Sequence, residues 1–326
     1  MSTGTRFGFR VVGGKHGERR LTDAAAAFAA HSAADPRSEP SLESYLSAFQ
    51  FTDEFKKHLS ATGSTANYSG QCWSPWLWFD IDRDDPALAL TDVRRLVGFV
   101  LFRYAEFRDD DVLAFTSGAK GYHAGVPLTH SPPPAVEFNG VCKALAEGIA
   151  SEAGVVIDAG IYDRVRLLRA PNSRHPKTGR HKVRLTHDEL MGLGHERIAE
   201  LARTPIPFDV PHVEVVPPLL VDDWRAAESQ VREKASARTT RPTTTAGRLN
   251  RKTMDYIRGG AAAGESRHIA LFSAAANLRE YGANERLIAA LLEEVALDDG
   301  LPPRDVQRQI RTAIEHADRQ AEGGGA

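Results

Sequence analysis

The sequence predicts a protein of mixed helices and strands, α/β or α+β in class, with a small all-helical unit at its C-terminal end. Three observations carry this. Strand-like and helix-like patterns interleave from residue 6 to about residue 190. A proline- and threonine-rich stretch then interrupts them, and beyond it apolar residues recur only at helical spacing. The chain has 326 residues, enough for about two domains.

The elements follow in order. Residues 6–12 alternate Phe7, Phe9 and Val11 with smaller or polar residues, a short strand. Residues 22–30 are alanine-rich and helical, with Thr22 or Asp23 as the cap. Residues 41–59 read as one or two amphipathic helices and 76–81 as a buried strand. Residues 91–107 read as a helix with Val93, Leu96, Val97, Val100 and Leu101 at helical spacing. Strands over 112–115 and 122–126 flank a turn at 117–121. A helix over 135–153 leads to a short apolar strand at 155–157. Residues 165–168 and 182–185 read as a strand pair bracketing the loop RAPNSRHPKTGR. Residues 204–218 are proline-rich, 222–234 make a solvated helix, and SARTTRPTTTAG (236–247) reads as a linker. Ser266 caps a helix that stops at Gly282. A second helix covers 284–297, and a third, over 304–317, turns Val306, Ile310 and Ile314 inward. The expected boundaries are a first domain over 1–205, a Pro/Thr-rich linker with a short helix over 206–250, a helical domain over 251–320 and a disordered tail over 321–326.

Composition narrows the function classes. Hydrophobic content of 42% and charged content of 26% are ordinary for a globular protein. The net charge of −2 gives no global attraction to nucleic acid, so any affinity for phosphate must come from local patches. Cys72 and Cys142 lie far apart, which fits a reducing compartment and excludes a disulfide framework or a cysteine-rich zinc site. The first residues lack the apolar core of a signal peptide, and no run approaches the roughly 20 apolar residues of a membrane span. A cytoplasmic protein is expected, with no membrane partner.

Four segments carry chemistry. Residues 76–85 read WLWFDIDRDD: an apolar strand ending on two carboxylates. In a strand, residues i and i+2 share a face, so Asp80 and Asp82 point the same way, about 7 Å apart, and suit hard divalent cations. Between two strands lies Ser117-Gly118-Ala119-Lys120-Gly121-Tyr122-His123. Its glycines permit close backbone approach, and Ser117, Lys120 and His123 offer donors to phosphate oxygens. Residues 165–182 hold the strongest basic cluster, including Arg169, His175 and Lys177. Pro171 and Pro176 fix its turns, and Ser173 and Thr178 add hydroxyls. Upstream, a further apolar run ends on Asp158, a candidate third acid, with Asp163 as its competitor.

FDID, then SGxKGxH, then a strand-end Asp followed by RLLRxPNSxHPKTG, in this order, resembles the catalytic core of the archaeo-eukaryotic primase superfamily. The resemblance covers roughly residues 65–190. The segment GESRHIALFSAAANLREYG resembles, more loosely, the helical C-terminal domain of plasmid- and phage-borne members. The resemblance implies an α+β primase-polymerase core, an RRM-like mixed sheet with flanking helices, followed by the small all-helical domain. It implies a catalytic metal set of Asp80, Asp82 and Asp158 holding two Mg²⁺ or Mn²⁺ ions. It assigns Ser117, Lys120, His123, Arg169, Ser173, His175 and Lys177 to the incoming NTP or dNTP, on a single-stranded DNA template. Arg267 and His268 are expected to contact nucleotide or template. Many family members carry a cysteine- and histidine-rich zinc stem; none is evident here, so no structural zinc is expected. No GxxxxGK[ST] occurs, so unwinding would require a separate helicase.

Overall fold

The computed structural model describes residues 6–239, 249–262 and 265–323. The fold is α+β. The chain opens with β1 (Phe7–Val12) and β2 (Arg20–Asp23), then helix α1 (Ala24–Ser32), capped by the Asp23 carboxylate accepting from Ala26 N. Next come β3 (Ser44–Ser47), β4 (Gln50–Phe51), α2 (Asp53–Thr62), β5 (Cys72–Trp73) and β6 (Trp76–Ile81). Helix α3 (Pro86–Arg103) leads into the hairpin of β7 (Leu113–Thr116) and β8 (Tyr122–Pro127), and α4 (Phe138–Ala153) follows. Then come β9 (Leu167–Arg169), β10 (Arg184–Leu185), α5 (His187–Gly192), α6 (His195–Leu201) and α7 (Pro218–Thr239).

The described strands pair antiparallel in two sheets rather than in one. The first has the order β5-β4-β1-β3-β9, with β2 on the side of β1; the second runs β10-β7-β8-β6. Antiparallel pairing is what short hairpin turns permit, and the 117–121 turn sets the β7–β8 register with Thr116 opposite Tyr122. In the second sheet, β6 sends Leu77, Phe79 and Ile81, all 0% exposed, to the face that packs on α3 and α4. Trp76, Trp78 and Asp80 alternate with them and therefore share the opposite face. Gly125 lies opposite Trp78, and a Cβ there would stand 2.7 Å from the indole, so only glycine lets this ring lie across the strand. The first sheet is held by Phe9, Phe51 and Phe55, with the last two rings stacked at 4.1 Å.

The structure redraws several local expectations. Residues 44–47 and 50–51 are strands, not helix, because β3 and β4 complete the sheet on either side of β1. Residues 155–158 form no strand; one backbone bond, Asp158 N to Asp80 O at 2.9 Å, ties them to β6. Strands β9 and β10 do not pair with each other. β9 joins β3 and β10 joins β7, so the basic loop connects the two sheets. The helix expected to be solvated also packs: Leu220, Trp224 and Ala227 of α7 are buried in the first core, and Asp223 accepts from Arg103 Nε and from Tyr104 Oη, each at 2.7 Å.

Two compact units result, Met1–Ala237 and Arg238–Ala326. The second is helical in its described residues. α8 (Arg251–Gly259), α9 (Arg267–Glu280), α10 (Glu285–Asp298) and α11 (Pro303–Gly323) enclose Leu271, Ile288, Leu292, Val306 and Ile310. Helix α11 runs into the expected tail, and residues 324–326 lie outside the described ones, as do 240–248 of the expected linker. No described helix is long and apolar enough to cross a membrane.

His31, at the end of α1, is 1% exposed, and burial drops its pKa to about 4. The unfolded chain therefore takes up a proton near the ordinary value of about 6.5 that the folded one refuses. The stability held by neutral His31 is complete above pH 6.5 and is lost as pH falls toward 4, about 3 kcal/mol in all. Urea midpoints at pH 7 and pH 4.5 should differ accordingly, and less so in His31→Gln. An unchanged pH dependence in that variant would remove His31 as the cause.

Candidate active site

One open cleft, about 650 Å³, takes up most of the residues singled out from the sequence. Asp80 and Asp82 enter it from the end of β6, Ser117, Lys120 and His123 from the β7–β8 hairpin, and Arg169, His175 and Lys177 from β9 and the loop behind it. Tyr45, Arg166, Thr178, Arg180 and His195 line it as well.

Strand register fixes the centre. Asp80 lies opposite His123, and His123 opposite Phe115, so the three form a row across the second sheet. His123 Nε2 stands 3.3 Å from Asp80 Oδ1. The ring is 6% exposed; burial first, and then Lys182, keep it from protonating against the pull of Asp80. Its Nδ1 has no protein partner. For Asp80, burial alone would favour the protonated acid, but His123, Lys182 and Arg166 outweigh it and hold the carboxyl below the usual range. Asp80 is therefore ionised at neutral pH.

Asp82 is half exposed, with Lys120 Nζ 3.8 Å away, and Lys120 also meets Asp84 at 3.0 Å. Ser117 Oγ accepts from Ala119 N and Gly121 N, which closes the hairpin loop. Gly118, at φ +79°, passes within about 3 Å of the Arg180 carbonyl at its Cβ position, and Thr178 Oγ1 donates to Gly118 O. Hairpin and basic loop are thereby joined edge to edge.

On the far wall, Arg169 stacks on its cross-strand partner Tyr45, 4.9 Å from the ring centre, and donates to Tyr45 Oη and to Glu43. His175 Nδ1 accepts from Lys177 N and Thr178 N, both at 3.3 Å. Burial, then Arg169, lowers its pKa. A neutral ring with Nδ1 so occupied carries its proton on Nε2 and is a donor there.

Two expected members stand apart. Asp158 is placed beside Asp80 by its backbone, but its carboxylate caps the following turn through Gly160 N at 2.8 Å and pairs with Arg166 at 3.3 Å. Among the described residues no group of three or more His, Cys, Asp or Glu side chains is arranged to hold a metal ion. Ser173 is fully buried and donates to Ser44 O and Ala170 O, so its hydroxyl braces the loop from within. Asn172 does the same. It is fully buried at φ 58°, donates to His31 O and Ser32 O, and accepts from Ile206 N. Asn172→Ala should cost about 3 kcal/mol, from lost buried hydrogen bonds and a left-handed backbone that Asn tolerates better than Ala. Chemical denaturation measures this; a loss below about 1 kcal/mol would contradict the bracing role. In the second unit, Arg267 donates to Asp299 O and His268 faces Asp305 at 3.8 Å.

Tyr45, Glu43, His195 and Lys182 were not singled out as site residues from the sequence. Lys182 is 1% exposed, and burial brings its pKa down to about 7, against the attraction of Asp80. The alternation of 182–185 places Lys182 with Arg184, opposite the buried Val183 and Leu185, so its burial was not legible in the strand pattern. Nothing local marks Tyr45, which is set by the β3–β9 pairing.

No protein-family model and no curated protein sequence matches the chain. Among solved structures, one titled "Crystal structure of primase RepB'" aligns over 99% of this chain and 94% of that one, at 15% identity and a TM-score of 0.35.

Proposed function

We propose that this chain is a template-directed nucleotidyltransferase of the primase-polymerase kind. The observation that carries the reading is the convergence, in one open cleft, of two strand-borne carboxylates with cationic and imidazole donors from two separate loops. A triphosphate needs both: anions for the divalent ions that accompany it, and donors for its oxygens.

Asp80 and Asp82 fit a divalent-ion platform. Mg²⁺ is usually held by one or two carboxylates together with substrate phosphate oxygens, and Asp80 is already ionised. When bound there, Mg²⁺ or Mn²⁺ lowers the pKa of an attacking 3′-hydroxyl and neutralises the departing pyrophosphate. The chain's own groups do the rest. Arg169, anchored by Tyr45 and Glu43, and the Nε2 donor of His175 orient the phosphates, with Lys177 and Arg180 adding charge at the rim. Lys120 exchanges its acidic partners for a phosphate oxygen. His123 acts on Asp80, donating from Nε2 and fixing the carboxylate's direction. Single-stranded DNA serves as the template in this reading.

The test is incubation with unprimed single-stranded circular DNA, Mg²⁺ or Mn²⁺ and labelled NTPs or dNTPs, beside a primed template. Short products on the unprimed circle establish priming, and the pool that works gives the sugar preference. Extension of a primer alone indicates a gap-filling polymerase. One observation favours a second reading: Asp158 is engaged by Arg166 and is not presented to the cleft. A nucleotide- and template-binding protein that does not polymerise would need no third acid. It would bind dNTP and DNA yet make no product on either template.

A further inference from the structure

A second cavity, about 360 Å³, lies between the sheets next to the cleft. That volume falls in the range of small-molecule sites. Its walls are apolar: Trp76 and Trp78 on the second sheet, Phe9 and Leu168 on the first, and Phe28 on α1. Polar exceptions include Ser47, Gln50 and Ser74, then Arg169, whose guanidinium is engaged by Tyr45 and Glu43, and the buried Lys182. Its ammonium carries three donors and makes one described hydrogen bond, to Arg169 O at 2.8 Å. Otherwise it faces the rings of Phe115 at 4.7 Å and Trp78 at 5.6 Å. A side chain this deeply buried, with donors unspent, is costly unless something completes its shell.

We propose that this cavity is a binding site for a small aromatic molecule carrying one carboxylate, its ring held between the tryptophans and the first sheet and its acid taken by Lys182. The mostly apolar walls disfavour a strongly polar body, and Lys182, the lining cation with unspent donors, selects the acid. The site is distinct from the cleft but adjoins it. Leu168 and Arg169 line both, and the same face of β6 presents Trp76 and Trp78 to one and Asp80 to the other.

The test uses indole-3-acetate and its neutral amide, titrated against the full chain and followed calorimetrically. The carboxylate should bind about tenfold or more tighter than the amide, the discrimination of one charge-assisted hydrogen bond. Lys182→Met removes the charge while nearly filling the lysine's volume and should abolish that preference. Ala29→Trp, on an exposed position of α1 that lines the opening, should block both ligands without touching Lys182. Equal affinity for acid and amide, no binding of either, or a preference that survives in Lys182→Met would overturn the proposal. So would one-for-one displacement of the carboxylate by dNTP, which would make the cavity part of the cleft. None of these readings depends on polymerase activity.

Discussion

Asp80→Ala is expected to incorporate nucleotide at least about 1,000-fold more slowly than the parent chain, the scale on which loss of a preorganised electrostatic group is felt. Its unfolding midpoint should move little. The reasons lie in the geometry. Asp80 is the carboxylate whose surroundings enforce ionisation, and it sits centrally in the cleft, opposite His123 in the strand register. Its side chain is 25% exposed and contributes little to packing. Asp80→Asn separates charge from shape and should be nearly as inactive. Primer extension with labelled dNTP reads the effect. Activity within tenfold of the parent in either variant would remove Asp80 from the proposed chemistry. A large fall in stability would instead make it a structural partner of His123 and Lys182.

The second large effect is on stability. Phe79 precedes Asp80 on the same strand and points the other way, fully buried among the helices. Phe79→Ala should cost about 3–5 kcal/mol, the usual penalty for emptying a core aromatic site. Total stability for a domain is about 5–15 kcal/mol, so this is a fifth or more of what holds the first unit together. Urea unfolding followed by circular dichroism gives the value. A loss under about 1 kcal/mol would mean that the core closes over the gap. Activity should fall with it on warming and return on cooling, whereas Asp80→Ala stays inactive at every temperature. The pair of neighbours thus separates what the strand supports from what it presents.

Strand β6 and its acids were legible because a buried strand ending on DxD is a local pattern. So were the hairpin and its glycines, and the helices whose apolar residues recur at 3.6 spacing. What escaped was non-local. β4 has two residues and β3 four, too few to show a period against the amphipathic background of 41–59. The apolar run before Asp158 looks like a strand but makes only one backbone bond to β6, the edge of the second sheet. β9 and β10 flank one loop, which suggests a hairpin, yet each finds its partner in a different sheet. Inside the basic loop, sequence cannot tell a hydroxyl that faces phosphate from one that braces the backbone, and Ser173 is the second kind. Helix α7 did carry a signal: Leu220, Trp224, Ala227 and Val231 follow one another at four, three and four residues, a stripe that needs a partner surface.

The crossing of the basic loop from one sheet to the other makes it a caliper. One jaw, at Arg169, is bolted to the first layer, and the other, at Arg184, to the second. His175, Lys177 and Arg180 ride on the arm between them. A slide or tilt of one layer against the other is carried by that arm and shifts the donors against Asp80 and Asp82. In the proposed function, substrate affinity therefore becomes a strain gauge for the interior. Under the proposed function, substitutions in the packing beneath either sheet are expected to weaken nucleotide binding before unfolding is detected.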